Sequence, residues 1–400
     1  MTSKSRAKLA SVSNKLFKPL LIGQCLTVLV AFLQMLVFSR YMPVSDFAIF
    51  GFTTAIWAMG VAFTGSSIGT RVMRDLVDGA SRILLGQREL FSCGLTVALA
   101  SIVSFLYTGD ALITSLIGLS LLASIGAEVA SYVSLGRGKK WTYACSLVIR
   151  NLGGLVFGGV VLIDEGQTVS IQMVLAGMIV SSVVAVGIQV REAPKIVRMS
   201  NLSAVGFVGA TNLVLWVIAA GDRVILGFTV DATQLATYSL IYGLADRAFR
   251  VTNSTYVSST MPVVLAGGAQ RWAKQYRLVV TILGITIAML SPVMVDWISG
   301  GRYSVDLGLP IVLVGALAFY ALSGPDYVEC VRLNKVRELF VPIAVTAAAS
   351  YILLWFLSPH VGYYGAAFCK LVCYAVWFFL TIYVVRKWRE VGIEESSRTR

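Results

Sequence analysis

The chain has 400 residues, 57% of them hydrophobic and 13% charged, and a mean hydropathy of +0.80. So few polar groups cannot cover the water-facing area of a soluble protein this large, so the composition excludes a soluble globular fold and specifies a polytopic membrane protein. The formal net charge of +13 would suggest nucleic acid in a soluble chain, but here the cations fall in short segments between apolar runs, a signal of topology with no nucleic-acid footprint.

Apolar runs occur at 17–39, 47–68, 90–107, 111–132, 142–163, 169–190, 203–229, 234–264, 276–298, 308–328, 339–358 and 362–386. At about 1.5 Å of rise per residue each can cross the hydrocarbon layer as a helix. The expected fold class is therefore all-α, with about twelve transmembrane helices. The first run is full length, lacks a small-residue cleavage site and is followed directly by a second, so it is expected to stay as the first transmembrane helix rather than leave as a signal peptide.

Lysine and arginine concentrate in alternate connections. They occupy the N-terminus (Lys4, Arg6, Lys8, Lys15), the loops holding Arg71/Arg74/Arg82/Arg88, Arg137/Lys139/Lys140, Arg191/Lys195/Arg198, Arg271/Lys274/Arg277 and Arg332/Lys335/Arg337, and the tail with Arg386/Lys387/Arg389. The remaining connections hold only Arg40 and Arg302. This alternation places both termini in the cytoplasm. The outer connections are expected to be turns such as Thr108-Gly109-Asp110 and Asp164-Glu165-Gly166, with no extramembrane domain on either side.

A shift of 188 residues lays Phe38 to Phe50 (FSRYMPVSDFAIF) on Leu226 to Tyr238 (LGFTVDATQLATY), matching the end of helix 1, its turn and the start of helix 2 to the same features of helices 7 and 8. Six helices, an even number, separate the copies, so both halves would have the same orientation. The expectation is two six-helix lobes, 1–200 and 201–400, around an axis along the membrane normal with a central cavity between them.

Both copies of this turn resemble a pattern in polysaccharide-export proteins of the multidrug/oligosaccharidyl-lipid/polysaccharide (MOP) exporter superfamily, particularly the O-antigen-type lipid-linked oligosaccharide flippases. The first copy is Arg40-Tyr41-Met42-Pro43 with Ser45-Asp46-Phe47; the second is Asp222-Arg223-Val224-Ile225-Leu226-Gly227 with Thr237-Tyr238-Ser239. Ala48 and Ala236 stand where the family usually has glycine, a mild departure because alanine also permits close helix packing. His360-Val361-Gly362-Tyr363-Tyr364-Gly365-Ala366-Ala367 looks like the family's glycine-rich entry to helix 12. The motifs cover about a tenth of the chain, the helix pattern all of it. The resemblance implies a multi-pass flippase of the bacterial cytoplasmic membrane. Its partners would be a polyprenyl-pyrophosphate-linked oligosaccharide, membrane lipids and other polysaccharide-assembly membrane proteins. No cofactor is implied, and coupling to protons or sodium stays open.

A charge in hydrocarbon costs about 2.5–3.5 kcal/mol on insertion scales, so charges deep in helices face a cavity or a partner. These are Glu128, Arg150, Asp222, Arg223, Asp246, Arg247, Arg250 and Lys370. In helix 8, Ser239, Tyr242, Asp246, Arg250, Asn253 and Ser254 recur at three- and four-residue steps, a polar stripe expected to line water or substrate. The repeat offset lands them on Gly51, Thr54, Ala58, Ala62, Gly65 and Ser66, which carry no charge, so the charge belongs to the second lobe.

Arg150, Arg247, Arg250, Lys370 and Arg223 are the candidate cationic contacts for an anionic substrate, since guanidinium groups bind phosphate and carboxylate bidentately. Internal pairing competes with this role, most plainly for Asp246 with Arg250 at four-residue spacing; Lys370 has no acidic neighbour on its own helix. Glu128, Asp222 and Asp246 are candidates for ion coupling, against which stands a plain salt bridge or an interfacial position. Asp326 and Glu329, beside Arg332, are expected to be interface charges, and His360 a solvated residue of an outer turn.

No phosphate-binding loop is present, which argues against direct ATP hydrolysis. One histidine and six scattered cysteines (Cys25, Cys93, Cys145, Cys330, Cys369, Cys373) support neither a hydrolase triad nor a zinc site, and the cysteines are expected to be small apolar fillers. A transporter rather than an enzyme is therefore expected. A drug/cation antiporter of the same superfamily is the alternative, disfavoured because helices 1 and 2 offer Gln24 and Gln34 but no carboxylate. A membrane-embedded polysaccharide polymerase or ligase, which would need a large external loop, is the third.

Overall fold

The computed structural model describes residues 3–77, 83–85, 87–161, 168–190, 196–198, 207–265, 269–270 and 272–398. The turn expected at Asp164-Glu165-Gly166 and the loop cations Arg82, Arg191, Lys195 and Arg271 lie outside these residues, as do the side chains of Lys4, Arg6, Lys8, Lys15, Arg74, Arg88 and Arg198.

The chain packs as two compact units, Met1–Ala204 and Val205–Arg400. In the first, α1 (Ser3–Tyr41) is followed by a broken rod, α2 (Val44–Gly60), a π-helical turn (Val61–Gly65) and α3 (Ser66–Val77). Then come α4 (Gln87–Thr108), α5 (Ala111–Gly136), α6 (Lys140–Val161) and α7 (Ile171–Val190). The second unit holds α8 (Phe207–Thr229), α9 (Ala232–Leu265), α10 (Ala273–Ser299), a second broken rod of α11 (Gly308–Leu322) and α12 (Gly324–Arg332), then α13 (Arg337–Val361) and α14 (Tyr363–Arg398). With each broken rod taken as one, the described residues form the twelve expected helices. The break between α11 and α12 falls at Ser323, whose hydroxyl accepts from Trp377 Nε1 at 2.7 Å.

Helices are the elements that satisfy every backbone polar group from within, so apolar segments of this length adopt them in a bilayer. Their outward faces carry large apolar side chains, among them Phe91, Leu106, Val293 and Phe356, the surface that hydrocarbon requires. Among the described residues nine helices are long and apolar enough to cross a membrane. The rods α6, α8 and α9 are outside that set. They carry Arg150, then Asp222 with Arg223, then Asp246 with Arg247 and Arg250.

Two connections were not expected as they stand. Ile83–Leu85 (β1) and Ile196–Arg198 (β2) pair as a short parallel ribbon, so the basic connections of the first unit are not all unstructured loops. His360 lies in the last turn of α13 rather than in an outer turn; the helix continues to Val361 and stops at Gly362, whose φ of 64° favours glycine. The Thr108-Gly109-Asp110 turn is formed, with Gly109 at φ 65° and Asp110 capping α5 through bonds from Leu112 N (2.7 Å) and Ile113 N (3.1 Å).

The two units repeat one internal plan. In the first, α1 packs on α6, α6 on α7, α5 on α7, α4 on α5 and α3 on α5. In the second, α8 packs on α13, α13 on α14, α11 on α14, α10 on α11 and α9 on α11, which is the same order of neighbours. The hairpins agree residue for residue: α1 ends at Tyr41 and α2 begins at Val44, while α8 ends at Thr229 and α9 begins at Ala232, each 188 residues later. Tyr41 O accepts from Val169 N at 3.0 Å, just before α7, and Thr229 Oγ1 accepts from Ser358 Oγ at 2.7 Å, in the last turn of α13, so each hairpin is tied to the segment that precedes its unit's last helix. Ala48 and Ala236 are fully buried behind these turns.

Candidate functional site

The buried charges of the second unit form one network. Asp222 sits on α8 and Lys370 on α14, with side chains about 1% exposed and Nζ 2.7 Å from Oδ2. Lys370 also donates to Ala219 O at 3.0 Å. Tyr238, nearly two turns into α9, donates its hydroxyl to Asp222 Oδ2, and Arg223 N donates to Oδ1 at 2.9 Å. The carboxylate is thus satisfied on both oxygens, as a buried charge requires.

The network continues along α9. Tyr242 stacks on Tyr238, the ring centroids 6.4 Å apart, and donates to Asp246 Oδ1 at 2.9 Å. Asp246 accepts from Arg250 through Nε at 3.0 Å and a terminal nitrogen at 2.7 Å, the four-residue pair read from spacing. The Tyr242 ring collects two cations on its π system: Lys370 Nζ at 3.8 Å and Arg223 Cζ at 4.4 Å from its centroid. Arg250 lies 4.1 Å over the Trp216 ring of α8. Such contacts hold cations where water is scarce. Arg247 is half-buried next to Asp246. Within the membrane portions of α8, α9 and α14, three cationic side chains, Arg223, Arg250 and Lys370, therefore meet two carboxylates, and Arg247 adds a fourth cation beside Asp246.

The expected stripe on α9 is divided. Ser239 and Tyr242 are buried and Asp246 and Arg250 are partly exposed, but Asn253 Oδ1 accepts from Tyr276 OH of α10 at 3.0 Å and faces the interior of the unit. Asn253 is a packing residue. A Cβ on Gly324, at the start of α12, would stand 2.4 Å from Asn253 Oδ1, which is why that helix begins with glycine.

In the first unit Glu128 of α5 and Arg150 of α6 pair at 2.6 Å, each about a fifth exposed. Glu128 packs over the π-helical turn, where a Cβ on Gly65 would come within 3.2 Å of it. The Arg150 carbonyl accepts from Ser181 Oγ of α7 at 3.1 Å. Gln34 is buried and donates to Asn151 O at 2.7 Å. The structure thus brings Asp222, Arg223, Asp246, Arg250 and Lys370 together and sets Glu128 with Arg150 apart in the other unit. In this conformation Arg150, Arg250 and Lys370 each hold an acid. Asp326 pairs with Arg277 at 2.7 Å, and Glu329 with Arg332 at 2.6 Å and Arg389 at 3.3 Å. Sequence reasoning did not assign Tyr238, Trp216 or the Lys370–Asp222 pair. Tyr238 was legible as the residue four before Tyr242, whereas a pair between α8 and α14 leaves no local pattern.

This arrangement lies in a fold already seen in transporters. The lipid II flippase MurJ in an inward closed conformation superposes with a TM-score of 0.66 at 11% identity, covering 91% of this chain and 87% of that one. The MATE multidrug transporter DinF-BH, in complex with R6G, gives 0.54 at 14% identity, covering 94% and 95%. The chain shares the fold of these two proteins. No family model matches the chain, and no curated protein sequence matches it.

Proposed function

We propose that the protein is a flippase that carries a polyprenyl-pyrophosphate-linked oligosaccharide, or a related polysaccharide precursor, from the cytoplasmic to the outer leaflet by alternating access. The observation that carries the proposal is the cationic surplus of the α8–α9–α14 network, four cations against two carboxylates inside the membrane. A site for cationic drugs would need the opposite balance, whereas arginine and lysine suit pyrophosphate and acidic sugars. Arg250, Arg247 and Lys370 are assigned to the substrate in the second unit, with Arg223 beside them and Arg150 in the first.

The present partners then become switch elements: an anionic head group competes with Asp246 for Arg250 and with Asp222 for Lys370, and the released carboxylates are free to take a proton or a cation. Glu128 has the same relation to Arg150. The setting is the cytoplasmic membrane of a bacterium, both termini inside, beside other proteins of polysaccharide assembly.

Deleting the gene and measuring the leaflet in which lipid-linked repeat units accumulate tests this. Cytoplasmic accumulation is expected, together with a loss of export in Arg250→Ala at unchanged protein level. Unpolymerised units accumulating outside would point to a polymerase, and normal glycolipid with altered drug resistance to an antiporter. Either outcome overturns the proposal.

A further inference from the structure

A second cationic site lies away from this network, where α10 begins, α12 ends and the apolar span of α14 closes. The cleft there measures about 710 Å³. α10 contributes Lys274 and Arg277, α12 contributes Arg332, and α14 contributes Arg386 and Arg389. Against these five cations stand two carboxylates, Asp326 and Glu329, both already engaged in the ion pairs given above. The cleft therefore has a surplus of three positive charges. Lys274 and Arg386 are exposed and form no ion pair within 4.0 Å among the described residues. They are the cations most available to a ligand.

We infer that this cleft binds the headgroup of an anionic phospholipid. The chemistry recognised is a phosphate diester, which guanidinium groups grip through paired N–H donors. Depth in the membrane selects a lipid over a soluble phosphate. The cleft lies at the ends of three apolar spans, Ala273–Ser299, Gly308–Arg332 and Tyr363–Glu390, the level at which headgroups sit. Trp272 beside it is 68% exposed, as suits an interfacial aromatic anchor. Directly inward, Leu278 and Val279 of α10 and Phe379 and Tyr383 of α14 are exposed on the flanks, and Ile382 and Val385 line the cleft itself. A bound phospholipid would put phosphate on the cations and lay its acyl chains along these apolar flanks. A free phosphate would leave them without a role. Because the basic end of the chain is the expected cytoplasmic one, the lipid would come from the inner leaflet, whose anionic surface attracts such clusters. None of this depends on which substrate the transporter moves.

The test is titration of the purified full chain in detergent with phosphatidylglycerol, phosphatidylcholine or inorganic phosphate, read by native mass spectrometry. Phosphatidylglycerol is expected to bind more tightly than phosphatidylcholine. The double variant K274Q/R386Q should weaken phosphatidylglycerol binding on the order of tenfold or more, taking about 1 kcal/mol per cation. R302Q, which alters an exposed arginine outside the cleft, should leave binding unchanged. An unchanged unfolding temperature in K274Q/R386Q shows that the loss belongs to the site. Equal binding of the two lipids, or full binding by K274Q/R386Q, overturns the inference. Inorganic phosphate displacing phosphatidylglycerol at equal concentration would assign the cleft to a soluble phosphate ligand instead.

Discussion

Lys370 and Asp222 hold each other in a place that water does not reach, both side chains about 1% exposed. Removing one member of such a pair leaves the other charged, buried and uncompensated, at a cost of about 3–5 kcal/mol, whereas replacing both with apolar groups is often neutral. Lys370→Met and Asp222→Leu should each lower the unfolding temperature in detergent sharply, and the double variant should be more stable than either. Additivity of the three measurements within about 0.5 kcal/mol would show that the two residues are not coupled. The same pair marks the limit of what one sequence discloses. Asp246 and Arg250 are visible as partners because four residues make one helical turn. Lys370 looks unpartnered because its acid lies on a helix that only the tertiary fold brings near. Tyr242 combines the two cases: its place on the α9 face follows from spacing, but the two cations over its ring come from α8 and α14.

Among elements, length and apolarity made the helices legible, and small residues decide how closely they pack. Where α6 meets α7, a Cβ on Gly153 would stand 2.1 Å from Gly177 O, and one on Gly177 would stand 2.4 Å from Gly153 O. The two backbones touch, as small residues at membrane helix interfaces allow. Gly153→Ala must therefore push the helices apart and lower the unfolding temperature. Gly159→Ala, on the same helix with nothing within 4 Å, should be neutral or stabilising by up to about 1 kcal/mol through helix propensity. Equal effects of the two would refute a backbone contact here. No apolar count reveals which glycine of α6 faces α7. The π-helical turn at Val61–Gly65 was likewise illegible, because it registers the packing of Glu128 against that point, whereas the break at Ser323 has a local mark in Gly324-Pro325, which puts a proline in the first turn of α12. The ribbon of Ile83–Leu85 with Ile196–Arg198 joins segments far apart in the chain, so its register is set by the helices that flank it.

At the scale of the whole chain the repeat was readable only at one hairpin, where thirteen residues align by type. The structure carries the correspondence much further, through five matching helix pairs and a tie from each hairpin to the segment that precedes its unit's last helix. Selection on such packing acts on volume and contact rather than on identity, so two units can keep one plan while their sequences drift apart. The charge, in contrast, has not been kept in both units. Positions 58 and 62 are alanine where the second unit has Asp246 and Arg250. The shared plan fixes a prediction about topology. An even number of spans per unit gives both hairpins the same sense, and the lysine and arginine distribution then sets the cytoplasmic side. In a cysteine-free background, a cysteine at exposed position 302 should react with a membrane-impermeant maleimide on intact cells, and one at exposed position 139 only after permeabilisation. Labelling of both from outside would break the odd count of five spans between them. The reverse pattern would invert the protein and place the cationic cleft of α10, α12 and α14 at the outer leaflet.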